Sequence, residues 1–441
     1  MKRVLVLGAG MVAGPLVEYF LRRDSFEVTV ADIVPERALR LTAGHPRGRS
    51  AALDIEDDAR LSSLIAAGDL VVSFVPFPHH PRVAGHCLAR GRNLLTASYL
   101  SADIKAMDKE AAAKGLIFFN EAGLDPGLDH MEAMRIIDRV RGEGGRVESF
   151  VSYCGGLPAP EANTNPFGYK FSWSPSGVLM SCGNAARYLR DGKEIFLPAE
   201  KYLDEPARIA IERLGDLEGY PNRDATTYLD AYGIHGAQTV LRGTLRYPGW
   251  CRTLKRMREW GLLDDRPRDA SLRSYKEFAS AKIGLPGAAN PADVLKTRFP
   301  QEEDVRVVDR LEWLGAFADR PLPPGPRNGL EILAGLMAEN MSYRPGERDL
   351  VVLRHEITSL FPGGRKETTV STLTHYGLPE GDSAMARTVS LPAAICGRLI
   401  LEGAVRQKGV VIPVRAEVYR PVLEELEGYG IRFEEKTTAF S

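Results

Sequence analysis

The first fourteen residues, MKRVLVLGAGMVAG from Met1 to Gly14, decide the fold of this chain. A short apolar run, Arg3–Leu7, leads into a glycine-rich turn, and the next segment, Val12–Arg23, has the apolar spacing of a helix. A signal peptide also begins with basic residues and an apolar run, but this run is short and is broken by glycines. The stretch therefore predicts a strand, a tight turn and a helix.

Similar apolar runs recur through the first 120 residues, separated by segments with helical spacing. They lie at Glu27–Ala31, Ala51–Asp54, Leu70–Phe74, Asn93–Ala97 and Leu116–Asn120. Strands that alternate with helices form a parallel sheet with helices on both faces, and such doubly covered strands are rich in Val and Leu. We therefore predict an α/β fold that begins with a Rossmann-type, doubly wound parallel sheet at residues 1–128.

The pattern changes after Asp125. A predicted helix, Asp129–Arg141, and a strand, Val147–Tyr153, precede a Gly/Pro/Asn-rich run that predicts no regular element. Two later runs, Asp349–Thr358 and Glu367–Tyr376, read as strands that pair as a hairpin. We predict a second, α+β domain for substrate binding and dimerisation at 129–390, with a helical insertion at about 184–340. A last segment, 391–441, begins with a buried helix and is expected to return to the first domain.

Composition narrows the function. With 57 Lys and Arg against 58 Asp and Glu, the net charge is -1, which argues against nucleic acid or a membrane surface as partner. The five cysteines form no C-x-x-C pair, so neither a disulfide framework nor a zinc knuckle is expected. A reducing, cytoplasmic location fits better. Since no run of about 18 apolar residues stands out, no transmembrane helix is predicted.

The turn Gly8–Ala13, GAGMVA, has the G-x-G-x-x-A form that is typical of dinucleotide binding. Gly8 permits the tight turn, Gly10 lets the backbone approach a pyrophosphate, and Ala13 keeps the helix close to the strand. Met11 and Val12 complete the turn at the helix N-terminus, where N–H groups face the phosphates. The alternative is a glycine turn that binds nothing.

Asp32 ends the second strand about 20 residues later and decides between the two nicotinamide dinucleotides. A carboxylate there accepts hydrogen bonds from the ribose hydroxyls of NAD and repels the 2′-phosphate of NADP. We therefore expect NAD, with NADP less favoured, although Arg37 complicates this interpretation. Ligands bind at strand C-termini, so further cofactor contacts are expected from Asp54, Ile55, Ser73, Phe74 and Val75. Asp54 has the alternative role of a helix N-cap.

Five motifs further along the chain resemble one family. They are GLDPGLDH from Gly123, SYCGGLPAPE from Ser152, NPFGYKFSWSP from Asn165, YPNRD from Tyr220 and RGTLRY from Arg242. In this order, over nearly the whole chain, they are similar to the glutamate-forming saccharopine dehydrogenases, also called saccharopine reductases. The resemblance implies oxidation of the secondary amine of saccharopine with NAD(P), which gives glutamate and 2-aminoadipate 6-semialdehyde, or the reverse condensation, in lysine metabolism.

The resemblance and this chemistry together suggest the site residues. Saccharopine carries three carboxylates, and Arg223 and Arg246 are the candidate partners because a guanidinium fork binds a carboxylate with two hydrogen bonds. The candidates for proton transfer, which needs a group with a suitable pKa, are Asp125, Cys154 and Tyr99. Further substrate contacts are expected from Ser98, Tyr99, Asp125, Trp173 and Thr244, and a cofactor contact is expected from Leu124.

Each of these assignments has an alternative. The arginines are otherwise surface residues, and Asp125 binds substrate instead of accepting its proton. Cys154 and Trp173 are equally suited to core packing. Arg242 shares a face with the arginine four residues later if that segment is helical. The histidines have no Cys or acidic partner at a zinc-binding spacing, so no metal is expected; those considered are His79, His80 and His130.

Two rival functions remain. Another imine-forming amino-acid oxidoreductase, of the carboxynorspermidine or lysine 6-dehydrogenase type, would share the first domain. It would not need three carboxylate sites, so PNRD and GTLRY argue against it. A dinucleotide-sensing protein would bind cofactor without turnover. Fungal members of the resembled family favour NADP, but Asp32 keeps NAD as the expectation here. The family also suggests a homodimer acting on a small-molecule substrate.

Overall fold

The structure is a computed structural model that describes residues 1–181, 183–288 and 290–440. The chain divides into two compact units. The first comprises Met1–Val147 together with the C-terminal segment from Ile357, and the second comprises Glu148–Glu356.

The strands in the described ranges are β1 (Lys2–Leu7), β2 (Phe26–Asp32), β3 (Gly48–Ala52), β4 (Leu70–Ser73), β5 (Asn93–Thr96), β6 (Ile117–Phe119), β7 (Arg146–Pro158), β8 (Ala186–Arg190), β9 (Lys193–Leu197), β10 (Ala207–Ile211), β11 (Gly215–Pro221), β12 (Thr239–Arg246), β13 (Asp349–Leu360), β14 (Lys366–Tyr376), β15 (Gly409–Val411) and β16 (Glu434–Phe440). The α-helices are α1 (Gly14–Leu21), α2 (Pro35–Thr42), α3 (Asp58–Ala67), α4 (His80–Arg90), α5 (Ala102–Ala106), α6 (Asp108–Ala113), α7 (Leu128–Gly142), α8 (Pro175–Ser181), α9 (Thr227–Tyr232), α10 (Trp250–Glu259), α11 (Tyr275–Lys282), α12 (Pro291–Arg298), α13 (Glu302–Leu314), α14 (Gly329–Asn340), α15 (Ala384–Leu401) and α16 (Ala416–Glu427).

The predicted parallel sheet is confirmed in the first unit. Its strands follow the order β15-β6-β5-β4-β1-β2-β3, and all neighbours pair in parallel. Five of the six N-terminal strands lie at the predicted apolar runs, whereas β3 begins three residues before its predicted run, Ala51–Asp54. Strand β15 joins the sheet beside β6. Central side chains such as Val6, Val72 and Leu95 are 0% exposed, as expected for strands covered on both faces. The strand order reverses between β1 and β4, where ligands of such sheets bind.

The second unit has its own mixed sheet. Strands β10, β11, β12 and β7 are neighbours in that order, and β13 follows β7. Strand β12 pairs in parallel with β7 and antiparallel with β11. The unit's helices enclose a separate apolar core that includes Trp250, Phe278 and Leu311. In the first unit, β14 pairs antiparallel with β16.

Two expectations about the second unit were wrong. The range predicted to be mostly helical, about 184–340, contains five strands, β8–β12, and its main run of helices begins only at Trp250. Strands such as Lys193–Leu197 are short and largely exposed, so they lack the apolar run of a buried strand. Strand β7 also continues through the glycine pair to Pro158. A Cβ at Gly155 would lie 2.7 Å from the carbonyl oxygen of Leu245, so glycine allows close approach of β12 there.

Helix α15 contains the buried helix that was predicted from Leu391. Contrary to expectation, its 18 residues are long and apolar enough to cross a membrane by length and composition. However, 78% of them are buried inside the protein, as is usual for a core helix. The Ser390 hydroxyl on this helix donates a hydrogen bond to the carbonyl of Val12, so α15 supports the glycine-rich turn.

Candidate active site

The glycine-rich turn has the geometry that its motif predicts. Gly8 has φ +98°, and a Cβ there would lie 2.8 Å from the carbonyl oxygen of Phe74, so glycine is required. A Cβ at Gly10 would meet nothing within 4 Å, and the side chain of Met11 is exposed. Ala13 is fully buried at the start of α1. The open space over the turn and the helix N-terminus fit a pyrophosphate.

Asp32 is bound by the backbone on both of its carboxylate oxygens. Oδ2 accepts a hydrogen bond from the N–H of Ala9 at 2.7 Å, and Oδ1 accepts one from the N–H of Val34 at 2.8 Å. The carboxylate therefore ties the glycine-rich turn to the segment that follows β2. Arg37 lies exposed near the start of α2.

Most side chains predicted to contact the cofactor after β3, β4 and β6 are buried or half-buried. Ser73 is 0% and Leu124 is 4% exposed, and Ile55 and Val75 pack against the core of the first sheet. Phe74 is half-buried, and its backbone carbonyl lies next to the glycine-rich turn. In this segment, the backbone approaches the turn more closely than the predicted side chains do.

Asp54 is exposed, and its Oδ1 accepts a hydrogen bond from the N–H of Glu56 at 3.0 Å. The N-cap of α3 is Asp57, whose carboxylate accepts from the N–H of Arg60. The alternative role of Asp54 as the helix cap is therefore wrong.

Tyr99 and Asp125, both predicted as site residues, lie together. Tyr99 follows β5 and Asp125 follows β6, and these strands are neighbours in the sheet. The Tyr99 hydroxyl donates a hydrogen bond of 2.7 Å to Oδ1 of Asp125. Both side chains are partly exposed, so the pair lies open at the C-terminal edge of the sheet.

Buried polar side chains hold the loop that follows β6. Oδ1 of Asp129 accepts a hydrogen bond from the N–H of Gly127 at 2.6 Å. His130 Nε2 lies 2.7 Å from Oε2 of Glu121, whose other oxygen accepts a hydrogen bond from the N–H of Leu100 at 2.9 Å. Asp129, His130 and Glu121 are each at most 8% exposed. The loop is therefore fixed from inside.

The sequence did not point to His80 as a site residue. Its Nδ1 lies 2.9 Å from the hydroxyl of Ser73, and its Nε2 lies 2.7 Å from the hydroxyl of Ser98. Burial, with a smaller effect of His79, lowers the pKa of His80 to about 4, so the ring is neutral near pH 7. The sequence does place this histidine at the start of a helix, just past the end of β4. However, His80 had been considered only as a metal ligand.

Strand β12 carries three polar side chains on one face. Arg242, Thr244 and Arg246 alternate along it, so they share a face of a strand and not, as considered for the two arginines, of a helix. Arg246 is 5% exposed. Its guanidinium lies 4.8 Å from the ring centre of Tyr169 and 5.6 Å from that of Trp250. The alternative that Arg246 is a surface residue is therefore wrong.

Thr244 and Cys154 are register partners on β12 and β7. The Thr244 hydroxyl accepts a hydrogen bond from Nδ2 of Asn222 at 2.9 Å, a contact the sequence did not reveal. Cys154 is 8% exposed, in keeping with its alternative as a small buried residue. The ring of the adjacent Tyr153 lies against Gly243, where a Cβ would lie 2.4 Å from the ring.

Arg223 and Trp173 have contrasting surroundings. Arg223 is exposed, as its surface alternative expected, and has φ 51°. This left-handed conformation is uncommon for a residue other than glycine and is often kept at functional sites. Trp173 is half-buried and packs against the helical core of the second unit, as its packing alternative expected.

The doubly wound parallel sheet, its glycine-rich turn and the second, mixed-sheet unit define a two-domain protein of the Rossmann-type oxidoreductase class. The saccharopine dehydrogenase NADP binding domain matches residues 4–119, and the saccharopine dehydrogenase C-terminal domain matches residues 123–431. The chain belongs to the saccharopine dehydrogenase family.

Relatives match along the whole chain. The saccharopine dehydrogenase [NADP(+), L-glutamate-forming] of Pyricularia oryzae is 37% identical and covers 99% of both chains. The bovine mitochondrial alpha-aminoadipic semialdehyde synthase is 39% identical over 99% of this chain, which spans only 48% of that relative. The solved structure of the apo Saccharomyces cerevisiae saccharopine dehydrogenase (L-Glu forming) has a TM-score of 0.86 at 35% identity and covers 99% of this chain and 100% of its own.

These relatives correct one expectation. The preference for NAD was wrong, because the fungal relatives are named as NADP(+) enzymes and the matching N-terminal family is an NADP binding domain. In the structure, both oxygens of Asp32 accept backbone hydrogen bonds, so this carboxylate also has a structural role beside the glycine-rich turn.

Four cysteines, Cys87, Cys154, Cys251 and Cys396, are free and buried, whereas Cys182 lies outside the described residues. Within the described ranges, no group of three or more His, Cys, Asp or Glu side chains is arranged to hold a metal ion.

Proposed function

We propose that this chain catalyses the NADP-dependent oxidation of saccharopine to L-glutamate and 2-aminoadipate 6-semialdehyde, or the reverse condensation, in lysine metabolism. The observation that carries this proposal is identity of 35–37% to three fungal glutamate-forming enzymes, over at least 99% of this chain and of each enzyme. The paired Tyr99 and Asp125 side chains at the sheet edge supply a proton-transferring group for that reaction.

The reaction sets clear demands on the protein. The secondary ammonium first loses a proton, and the former lysine ε-carbon then gives up a hydride, which NADP+ accepts when bound. Water adds to the resulting imine carbon, and its C–N bond breaks to leave glutamate and the aldehyde. A side chain within hydrogen-bonding reach must accept the amine proton and return a proton to the departing nitrogen.

We assign this proton transfer to Asp125, with Tyr99 orienting it. The hydrogen bond of 2.7 Å from the Tyr99 hydroxyl fixes the carboxylate at the C-terminal edge of the sheet, which is where the reacting end of a nicotinamide dinucleotide lies in this class of fold. The partial exposure of both side chains leaves them accessible to a substrate.

For the substrate carboxylates, we propose Arg246, Thr244 and Arg223. Two aromatic rings hold the Arg246 guanidinium in a fixed, largely desolvated position, where a charge-assisted hydrogen bond is strong. The Asn222 amide orients the Thr244 hydroxyl. The unusual backbone conformation of Arg223 at the end of YPNRD is consistent with a functional constraint.

For the 2′-phosphate of NADP, we propose Arg37. It is exposed near the N-terminus of α2, directly after the segment that Asp32 fixes. A guanidinium there would offset the repulsion between the Asp32 carboxylate and the phosphate. This assignment reconciles an acidic residue at the end of β2 with use of NADP.

The test is an assay of the purified protein with saccharopine and NADP+. We expect NADPH and glutamate to form in equal amounts. Absence of turnover over a broad pH range, with either saccharopine or its two products and NADPH, would remove the substrate assignment. A homodimer and a cytoplasmic location remain predictions, which sedimentation and cell fractionation would test.

A further inference from the structure

We propose that His80 and Glu121 are positioning residues, which fix the segment Ser98–Leu100 from both sides and thereby hold the Tyr99 hydroxyl on Asp125. This inference rests on the proposed function and deepens it. Neither residue needs to touch the substrate, since both act through the backbone and side chains that flank Tyr99.

The first contact is made by His80. Its ring is 2% exposed and bridges the hydroxyls of Ser73 and Ser98 at 2.9 and 2.7 Å. Ser73 is fully buried at the end of β4, so it anchors the ring to the sheet. Because the neutral ring makes one hydrogen bond through each nitrogen, it sets the position of Ser98, one residue before Tyr99.

The second contact is made by Glu121. Its backbone N–H donates to the carbonyl of Ser98 at 3.1 Å, and its Oε1 accepts from the N–H of Leu100 at 2.9 Å. The buried His130 holds the other carboxylate oxygen at 2.7 Å. Glu121 itself has φ 60°, a strained conformation that the surrounding contacts must maintain. Glu121 therefore forms hydrogen bonds with the residues on both sides of Tyr99.

Together these contacts leave Tyr99 little freedom. Its neighbours on either side are fixed to β4 and to the loop after β6, so its hydroxyl is held ready to donate to Asp125. Misplacement of a reacting group by about 1 Å can cost about 100-fold in rate. Loss of one of the two contacts should therefore slow the reaction without weakening cofactor binding.

A matched pair of variants separates the two sides of the His80 ring. In His80→Asn the amide occupies the position of Nδ1 and keeps the Ser73 contact but not the Ser98 contact, whereas His80→Gln reaches the position of Nε2 and keeps the Ser98 contact. We expect His80→Asn to lower kcat about tenfold with little change in either KM, and His80→Gln to retain most of the activity. His86→Gln, on the same helix, is the control and should leave kcat unchanged.

A double-mutant cycle with Tyr99→Phe distinguishes positioning from general destabilisation. If His80 acts through the Tyr99 hydroxyl, His80→Asn should have no further effect once that hydroxyl is absent. An equal loss in both backgrounds, or equal losses for Asn and Gln, would overturn the inference. If His80→Asn fails to fold, Ser98→Ala takes its place in the cycle; a loss that persists without the Tyr99 hydroxyl would then contradict positioning.

A crystal structure of each His80 variant, or of Ser98→Ala, tests the same inference without substrate. We expect the Tyr99–Asp125 hydrogen bond to be broken in His80→Asn and in Ser98→Ala and to be kept in His80→Gln. An intact bond in the first two would overturn the inference even if the wild-type protein proved inactive with saccharopine. Wild-type inactivity would contradict only the proposed function.

Discussion

The Tyr99 hydroxyl donates a hydrogen bond of 2.7 Å to Oδ1 of Asp125. Two neighbouring parallel strands, β5 and β6, deliver the two residues to the same edge of the sheet. The relationship follows from the topology, because parallel strands end on the same side. The proposed proton transfer depends on this pair.

Tyr99→Phe removes the hydrogen bond and keeps the ring. We expect kcat for saccharopine oxidation to fall about 10- to 100-fold, because the carboxylate loses its orienting partner. The KM for NADP should change little. Steady-state kinetics measure both values, and an unchanged kcat would mean that the hydroxyl plays no part.

Asp32→Ala should weaken the binding of both dinucleotides, and that of NAD more than that of NADP, because loss of the carboxylate also relieves its repulsion of the 2′-phosphate. Asp32 orders the glycine-rich turn through Ala9 and Val34, and losing hydrogen bonds to a charged group costs about 1.5–3 kcal/mol each. Titration of the protein with each dinucleotide measures the two affinities. Asp32→Asn, which keeps one acceptor oxygen, should be affected less. Binding of both dinucleotides with wild-type affinity would contradict this role.

Arg37→Ala should weaken NADP binding about tenfold, since it removes a charge-assisted hydrogen bond worth about 1.5 kcal/mol. NAD, which has no 2′-phosphate, should bind as before. Arg22→Ala is a suitable control, because Arg22 is an exposed arginine paired with Glu18 on α1. Equal effects of Arg37→Ala on both dinucleotides would refute the assignment.

Gly243→Ala should destabilise the protein by about 1–3 kcal/mol, the usual range for overpacking. Its Cβ would lie 2.4 Å from the Tyr153 ring and 2.6 Å from the carbonyl oxygen of Tyr220. A Cβ at Gly236 would meet nothing within 4 Å, so Gly236→Ala is the control. Denaturant unfolding of the two variants should separate them, and equal stabilities would show that the sheet adapts without cost.

His80 should make stability depend on pH. Burial lowers its pKa to about 4 in the native protein, below its ordinary value of about 6.5. The unfolded chain therefore binds a proton that the native protein does not, and stability falls as the pH drops from about 6.5 towards 4. The expected loss is about 2 kcal/mol at about pH 5. His80→Gln should show a smaller loss than the wild type in unfolding experiments, and equal losses would contradict this role of His80.

The sequence predicts the first sheet well because its strands are covered on both faces and so appear as uninterrupted apolar runs, such as Leu70–Phe74. The glycine-rich turn was also predictable, because its geometry requires a glycine in the sequence. A side chain at Gly8 would clash with the carbonyl of Phe74. By contrast, exposed short strands such as β9 carry no apolar run. Their region was therefore predicted to be helical.

The site was predictable in position more than in detail. Strand ends placed Tyr99 and Asp125 near each other, but no spacing shows which N–H groups occupy the oxygens of Asp32. The structural role of this carboxylate therefore does not follow from the sequence, which indicated only a ribose ligand. Likewise, His80 is hydrogen-bonded to two serines from other elements, and only tertiary structure brings those partners together.

The most direct test follows the hydrogen that leaves the substrate. Saccharopine that carries deuterium at both positions of the former lysine ε-carbon is incubated with the protein and NADP+, and the products are analysed by mass spectrometry. We predict one deuterium in the reduced cofactor, the other on the aldehyde carbon, and unlabelled glutamate. Release of lysine that retains both deuterium atoms, or a reduced cofactor without deuterium, would contradict glutamate-forming oxidation by this chain.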